Sequence, residues 1–269
     1  MPDSCIEANG GPATLDDVRR IAAFNYGHFT VMQFRDGGVR GLSLHLARLD
    51  AASRELFGRP LDPSRVRGYL AHALASRIGP ASVRVNVHSR ALDREALAVP
   101  AEPDVFVSLG APAPVAHAPV RVRTVQYARE LPHVKHVGTF GLFHQRRLAQ
   151  LAGFDDALFA SATGEISEGT IWNVGFHDGA GVVWPDAPAL RGITQQLLEG
   201  ALAARGIAQV RRPVHADELA HFRAAFLVNT ASVVQPIASI DATAFDDSVA
   251  LAAMLRELHD AVAPEPIGP

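Results

Sequence analysis

Of the 25 basic residues in the chain, 24 are arginine and one is lysine, Lys135. A guanidinium stays protonated and delocalised, whereas an amine can lose its proton and attack a carbonyl carbon, so chemistry through a Schiff base requires lysine. A lone surface lysine is the other reading, and the neighbourhood has to decide. Glu168, in Gly164-Glu165-Ile166-Ser167-Glu168-Gly169-Thr170, ends a hairpin strand beside a glycine that lets a planar ring approach. Glu165 competes with it but, an odd number of residues away, is expected on the opposite strand face. Arg191-Gly192-Ile193-Thr194 precedes a helical stretch, so free backbone N–H groups there point at an anion, and the Thr194 hydroxyl adds a donor. Asn229-Thr230-Ala231-Ser232 follows an apolar strand; it reads as a further polar cup or as an ordinary loop at a strand end.

An amine for an imine, a carboxylate for a ring nitrogen and donors for a phosphate are together what pyridoxal 5'-phosphate requires. Glu168 on the pyridine nitrogen would keep it protonated, so that the ring accepts electrons released at a substrate's α carbon. Arg84, His88 and Arg90 share parity along an expected strand, Ala81 to Arg90, and are candidate receivers of a substrate carboxylate. A solvated strand face paired with acids explains them equally. His133 and His136 flank Lys135, but no carboxylate or cysteine stands at ligand spacing, so no metal site is expected. Tyr26 and Tyr127 are candidates to line the pocket or simply to pack.

The 269 residues, 48% hydrophobic and 20% charged, suffice for one large core or two smaller ones. A net charge of -3 gives no cationic excess for a phosphate backbone, so nucleic acid is not an expected partner. No apolar run approaches the roughly 18 residues of a membrane span, and the first residues are polar and acidic. With a single cysteine, Cys5, these features lead to the expectation of a cytoplasmic protein without a membrane partner.

The elements that must position these residues are those of an α/β chain. Phe29 to His45 reads as a hairpin turning at Asp36-Gly37-Gly38. Helices follow from about Leu44 to Phe57 and from Asp62-Pro63, the latter with Val66, Tyr69, Leu70 and Leu74 on one face. Ala81 to His88 and Val105 to Leu109 read as strands. The proline-alternating stretch Ala111 to Pro119 suggests a division into residues 1–112, a linker 113–119 and residues 120–269. Beyond it, strands are expected at Val120 to Gln126, Ala157 to Ser161, Glu165 to Phe176, Val182 to Trp184, around Val210, at Ala225 to Val228 and at Val233 to Ile237. Helices are expected at Phe140 to Ala152, Thr194 to Ala204 and Asp246 to Val262, with Pro264 to Pro269 a loose tail.

In order, His45-Leu46-Ala47-Arg48-Leu49, Lys135, Gly153-Phe154-Asp155-Asp156-Ala157-Leu158-Phe159, Glu168-Gly169-Thr170-Ile171-Trp172-Asn173, Gly192-Ile193-Thr194 and Asn229-Thr230-Ala231 resemble the class-IV aminotransferases. That family includes branched-chain and D-amino-acid aminotransferases and aminodeoxychorismate lyase, and the resemblance spans roughly residues 25 to 240. It implies a two-domain α/β (α+β) fold of type IV, a smaller N-terminal domain and a larger cofactor-binding one, with the cofactor in the interdomain cleft of a homodimer. It also implies Lys135 as Schiff-base former and proton shuttle, Glu168 as partner of the pyridine nitrogen, and Arg48, Ile193, Thr194 and Thr230 as phosphate ligands. The expected activity is transfer of an amino group between an amino acid or amine and a 2-oxo acid. A lyase releasing pyruvate, which Val134-Lys135-His136 resembles locally, is the alternative, followed by a silent cofactor-binding protein. Three departures stand out: Thr139 and Phe140 where the family often carries a tyrosine, Thr30 where it has an acid after Gly27-His28-Phe29, and Trp172 in place of a small residue.

Overall fold

The computed structural model describes residues 6–75, 77–114 and 118–268. Cys5 and residues 115–117, in the middle of the expected linker, lie outside them. The chain divides into two compact units: Met1–Ala113 with Val134–Gly138 and Ala263–Pro269, and Pro114–His133 with Thr139–Val262. Where the sequence suggests one cut near residue 113, the chain revisits its first unit twice, once with the segment that carries Lys135.

In the first unit, β1 (Ile6–Ala8) and β2 (Gly11–Pro12) lead into α1 (Leu15–Ala23). This helix starts at a reciprocal cap, Thr14 accepting from the Asp17 N–H and Asp17 from the Thr14 N–H. Next come β3 (His28–Arg35), β4 (Gly38–Val39), α2 (Leu42–Phe57), α3 (Pro63–Leu74), β5 (Ala81–His88) and β6 (Asp104–Gly110). The expected hairpin through His45 has a second arm of only two residues, because Gly41 at φ 73° turns the chain into α2. Asp62 caps α3 through the Ser64 N–H, with Pro63 in its first turn. The sheet is antiparallel throughout, and a C-terminal strand, Glu265–Pro266, extends it beyond β4. Leu42, Leu46 and Leu49 of α2 and Val66 and Leu70 of α3 share one core with Val83, Val85, Val105 and Val107. The expected loose tail is instead built in. Glu265 pairs with Val39, its carboxylate accepts from the Ser43 N–H and hydroxyl, and Ile267 is buried in the core. A Cβ on Gly38 would collide with the Glu265 carbonyl oxygen, so glycine is what admits this strand.

The second unit contains β7 (Val120–Gln126), α4 (Phe140–Leu151), β8 (Asp156–Ala160), β9 (Ile166–Gly169), β10 (Asn173–His177), β11 (Val182–Pro185), α5 (Ile193–Ala204) and β12 (Gln209–Arg212). After a 3-10 turn at Ala216–His221 follow β13 (Ala224–Asn229), β14 (Val233–Ile240), β15 (Thr243–Ala244) and α6 (Ser248–Asp260). The strands run β12-β11-β10-β13-β14-β7-β8-β9, and β9 pairs again with β10, closing six of them into a ring. Trp172, Phe176, Leu227 and Ile237 fill one core, while Trp184, Phe226, Leu198 and Leu255 fill another beneath α5 and α6. The expected single strand Glu165 to Phe176 breaks into β9 and β10. A tight turn, in which the Gly169 N–H donates to the Trp172 carbonyl at 2.8 Å, returns Asn173 opposite Glu168. Among the described residues no helix is long and apolar enough to cross a membrane.

Candidate active site

Lys135 reaches its place through backbone pairing. The Phe29 N–H donates to the Lys135 carbonyl at 2.9 Å, the Val137 N–H donates to the Gly27 carbonyl at 3.0 Å, and His28 bridges His136, so residues 134–138 lie along the start of β3. Val134 is buried in the core of this unit and anchors the segment. Lys135 Nζ stands 5.0 Å from the centre of the Phe29 ring, and the Arg84 guanidinium stacks 3.8 Å from the same centre. From α2, Arg48 Nη2 donates to Thr30 Oγ1 at 2.5 Å, and Thr30 Oγ1 lies 2.6 Å from His45 Nδ1. Arg48 can only donate, which leaves the Thr30 proton available to His45. Burial, then the charges of Arg48 and Lys135, holds the His45 ring far below the usual histidine range. Among the described residues the neutral ring's buried Nε2 has no hydrogen-bond partner. His28 is likewise pushed down to about 3, mainly by burial, and contacts Ser53 Oγ at 2.9 Å. Thr30, where the family has an acid, thus bridges a cation to a neutral imidazole.

In the second unit Glu168 is buried at the end of β9. Its Oε2 accepts from the Leu190 N–H at 3.2 Å and its Oε1 lies 3.7 Å from Arg129 Nε. Burial lowers the pKa of Arg129, and the charge of Glu168 opposes that shift. Asn173 Nδ2 donates to the Leu190 carbonyl at 2.7 Å, so Glu168 and Asn173 clasp both sides of Leu190. Two residues on, α5 starts at Gly192 with no side-chain cap, and Ile193 and Thr194 of its first turn are buried. A Cβ on Gly192 would collide with Asn173 Oδ1, which explains glycine there. Thr230 occupies the turn between β13 and β14, shaped by Asn229 Oδ1, which accepts from the Ala231 and Ser232 N–H groups. Glu165 bridges His215 on the far side of the β8–β9 turn. An amine and an arginine in the first unit, and in the second a buried carboxylate and a helix start without a side-chain cap, are each of the kinds that a phosphate-bearing pyridine aldehyde calls for.

Not every expected residue joins this set. β5 stops at His88, so Arg90 lies in the following turn, where it donates to Asp17 at 2.6 Å and Asp104 at 3.3 Å. His88 packs edge-on against Phe106. His88 and Arg90 line a cavity of about 270 Å³ with Tyr26, Phe24 and Arg94. Tyr127 packs on Phe159 instead. Thr139 precedes α4 without capping it, and Phe140 is 81% exposed and stacked on His144. Arg129 escapes a reading of the sequence, because it sits in an irregular stretch where no periodicity marks a buried cation. Asp156, present in the sequence only as part of a longer motif, is the hub of a buried network around Trp172.

The sequence matches the model of the amino-transferase class IV family over residues 27–240. No curated protein matches. Among solved structures, the branched-chain aminotransferase of the thermophilic archaeon Thermoproteus uzoniensis with norvaline superposes with a TM-score of 0.81 at 18% identity, covering 96% of this chain and 95% of that one. A hypothetical aminotransferase from Mycobacterium tuberculosis, in its PLP-bound form, gives 0.79 at 22% over 96% and 98%. A putative 4-amino-4-deoxychorismate lyase from Legionella pneumophila gives 0.81 at 18% over 90% and 93%. At these identities the likeness shows the fold, a two-domain α/β architecture. The family match, over most of the chain, shows more: the protein belongs to the class-IV aminotransferases, a family of pyridoxal-phosphate enzymes.

Proposed function

We propose that this chain is a pyridoxal-phosphate-dependent aminotransferase that moves an amino group between an amino acid or amine and a 2-oxo acid. The observation that carries this reading is the chain's one lysine, pinned by backbone bonds beside Phe29, whose ring also carries Arg84. When bound, the cofactor supplies an aldehyde that captures amines and a pyridinium that takes up electrons from the substrate α carbon. Lys135 anchors it and, once free, carries the α proton on Nζ. Arg48, oriented by Thr30, binds phosphate, and Arg84 receives the substrate carboxylate. In the second unit Glu168 holds the proton on the ring nitrogen, the Ile193 and Thr194 N–H groups and the Thr194 hydroxyl bind phosphate, and Thr230 adds a hydroxyl. The working protein is a homodimer, a reading supported by Phe140, Phe143, Leu148 and Leu151, large apolar side chains exposed on one face of α4 around His144 and Arg147. A single cysteine suits a reducing cytoplasm.

The test is an absorption titration of the cofactor-loaded protein with L- and D-amino acids, amines and aminodeoxychorismate. Conversion of the cofactor band to its amine form, with release of an oxo acid, is expected. Turnover of aminodeoxychorismate alone, yielding pyruvate, would make the chain a lyase, the function in the name of the Legionella relative. Cofactor uptake without any turnover would make it a silent binder. Lys135→Ala should lower activity at least about 1,000-fold; an unchanged rate would sink the mechanism.

A further inference from the structure

Trp172 departs from its family in the motif that carries Glu168, and a polar network fixes its indole. The side chain is 4% exposed, and its Nε1–H donates to Asp156 Oδ2 at 2.8 Å. Asp156 is itself buried, and accepts from Arg146 Nη2 at 2.6 Å, from the Thr170 hydroxyl at 2.8 Å and from the Ala157 N–H at 2.8 Å. Arg146 also donates to Thr170 Oγ1 at 2.8 Å. The carboxylate thereby ties α4, β8 and the β9–β10 turn to one point, with every partner charged or strongly polar. The ring in turn supports the backbone. A Cβ built on Gly169 would collide with the indole atoms, so the chain next to Glu168 lies directly on the ring. Asn173, the residue after Trp172, pairs with Glu168 across the strands and holds Leu190, whose N–H donates to Glu168.

We infer that Trp172 is the positioning residue for Glu168: its indole, fixed by Asp156, is the platform on which Gly169 rests and from which the carboxylate is aimed. A small residue at position 172 has neither the surface to support Gly169 nor the reach of the indole Nε1–H toward Asp156, so the platform is this chain's own solution. The inference rests on the reading of Glu168 as partner of the cofactor's ring nitrogen. It places no atom of Trp172 on substrate or cofactor. The indole acts through backbone contact, and side-chain freedom at Glu168 is what its loss would raise.

The experiment is a double-mutant cycle with Trp172→Phe and Glu168→Ala, reading the dissociation constant for pyridoxal phosphate by fluorescence titration together with kcat and KM. Trp172→Phe is expected to weaken cofactor binding and lower kcat by roughly 10-fold each, with KM little changed, and to add less than about 2-fold once Glu168 is alanine. Asp156→Ala, which frees the indole without removing it, is expected to reproduce the loss. The unsubstituted protein gives an independent reading, because it has only two tryptophans, Trp172 and Trp184. On addition of pyridoxal phosphate the indole N–H resonance of Trp172 should shift while that of Trp184 stays, and the shift should vanish in Glu168→Ala. Losses that multiply across the cycle, or a Trp172 resonance that does not respond, would overturn the inference while Glu168 keeps its role. Full cofactor affinity and activity in Glu168→Ala would overturn the role of Glu168 itself, and the inference with it.

Discussion

Arginines on one strand and its continuation have acquired different employments. Arg84 lies on the Phe29 ring that Lys135 also reaches, whereas Arg90 is engaged by two carboxylates. Arg84→Ala should raise KM for a carboxylate-bearing amino donor about 10- to 100-fold, the scale of a charge-assisted hydrogen-bond pair. Arg90→Ala should leave KM alone and lower the melting temperature, since it removes the charged partner of a buried Asp17 and leaves only Thr14 to it. Steady-state kinetics and thermal melts of the two variants separate these roles. The buried histidines make a second claim at this scale. His28 is neutral in the folded chain down to about 3, while an unfolded histidine takes up a proton near 6.5. Between those values the unfolded state binds the extra proton, so stability is complete above about pH 6.5 and falls as pH drops, by up to about 1.4 kcal/mol per pH unit for each such ring. His45 acts in the same direction. Melts from pH 7 to pH 4 should show this slope, and His28→Gln should flatten part of it.

At the scale of elements, local signals and long-range ones divide the outcome. α3 is legible in the sequence because Asp62 and Pro63 are a start signal complete within three residues, and α5 because Gly192 and Gly206 bracket an apolar run. The helix start at Ile193 and Thr194 is legible for the same reason. α1 escapes such a reading although Thr14 and Asp17 form its cap and Leu15, Val18 and Ile21 fall on one face, since nine residues carry that period for little more than two turns. The break between β9 and β10 has only Gly169 as a local mark; the contact of Trp172 with Asp156, sixteen residues away, leaves none. Arg129 beside Glu168 is a contact of the same kind. The C-terminal strand reads as a tail in sequence because two residues with a proline carry no strand pattern. Its worth lies in Glu265 on Ser43 and in buried Ile267. Removing residues 264–269 should cost about 2 to 4 kcal/mol, the cost of emptying one large core position, measurable by urea unfolding. An unchanged midpoint would mean that this strand merely decorates the sheet.

At the scale of the whole molecule, the chain is two compact units, and the first is assembled from three stretches of sequence. Residues 1–113 expressed alone should therefore lack a closed core edge and expose β4 and the start of β3. Poor solubility relative to the full chain, with amide exchange unprotected at β4, is the expected result. The exposed apolar residues of α4 belong to this scale as well. The proposed dimer predicts that Phe140→Asp leaves a monomer in light scattering at micromolar concentration where the unsubstituted chain is a dimer; a dimer that persists would place the interface elsewhere. A different consequence follows from the short C-terminal strand. On the ribosome the chain emerges from its first residue onward, so β4 waits with an open edge while the entire second unit is made, and Lys135 is already in solvent long before its sheet is complete. The first unit to be synthesised is thus the last able to finish folding, and this order leaves the β4 edge of the nascent chain for chaperones to guard.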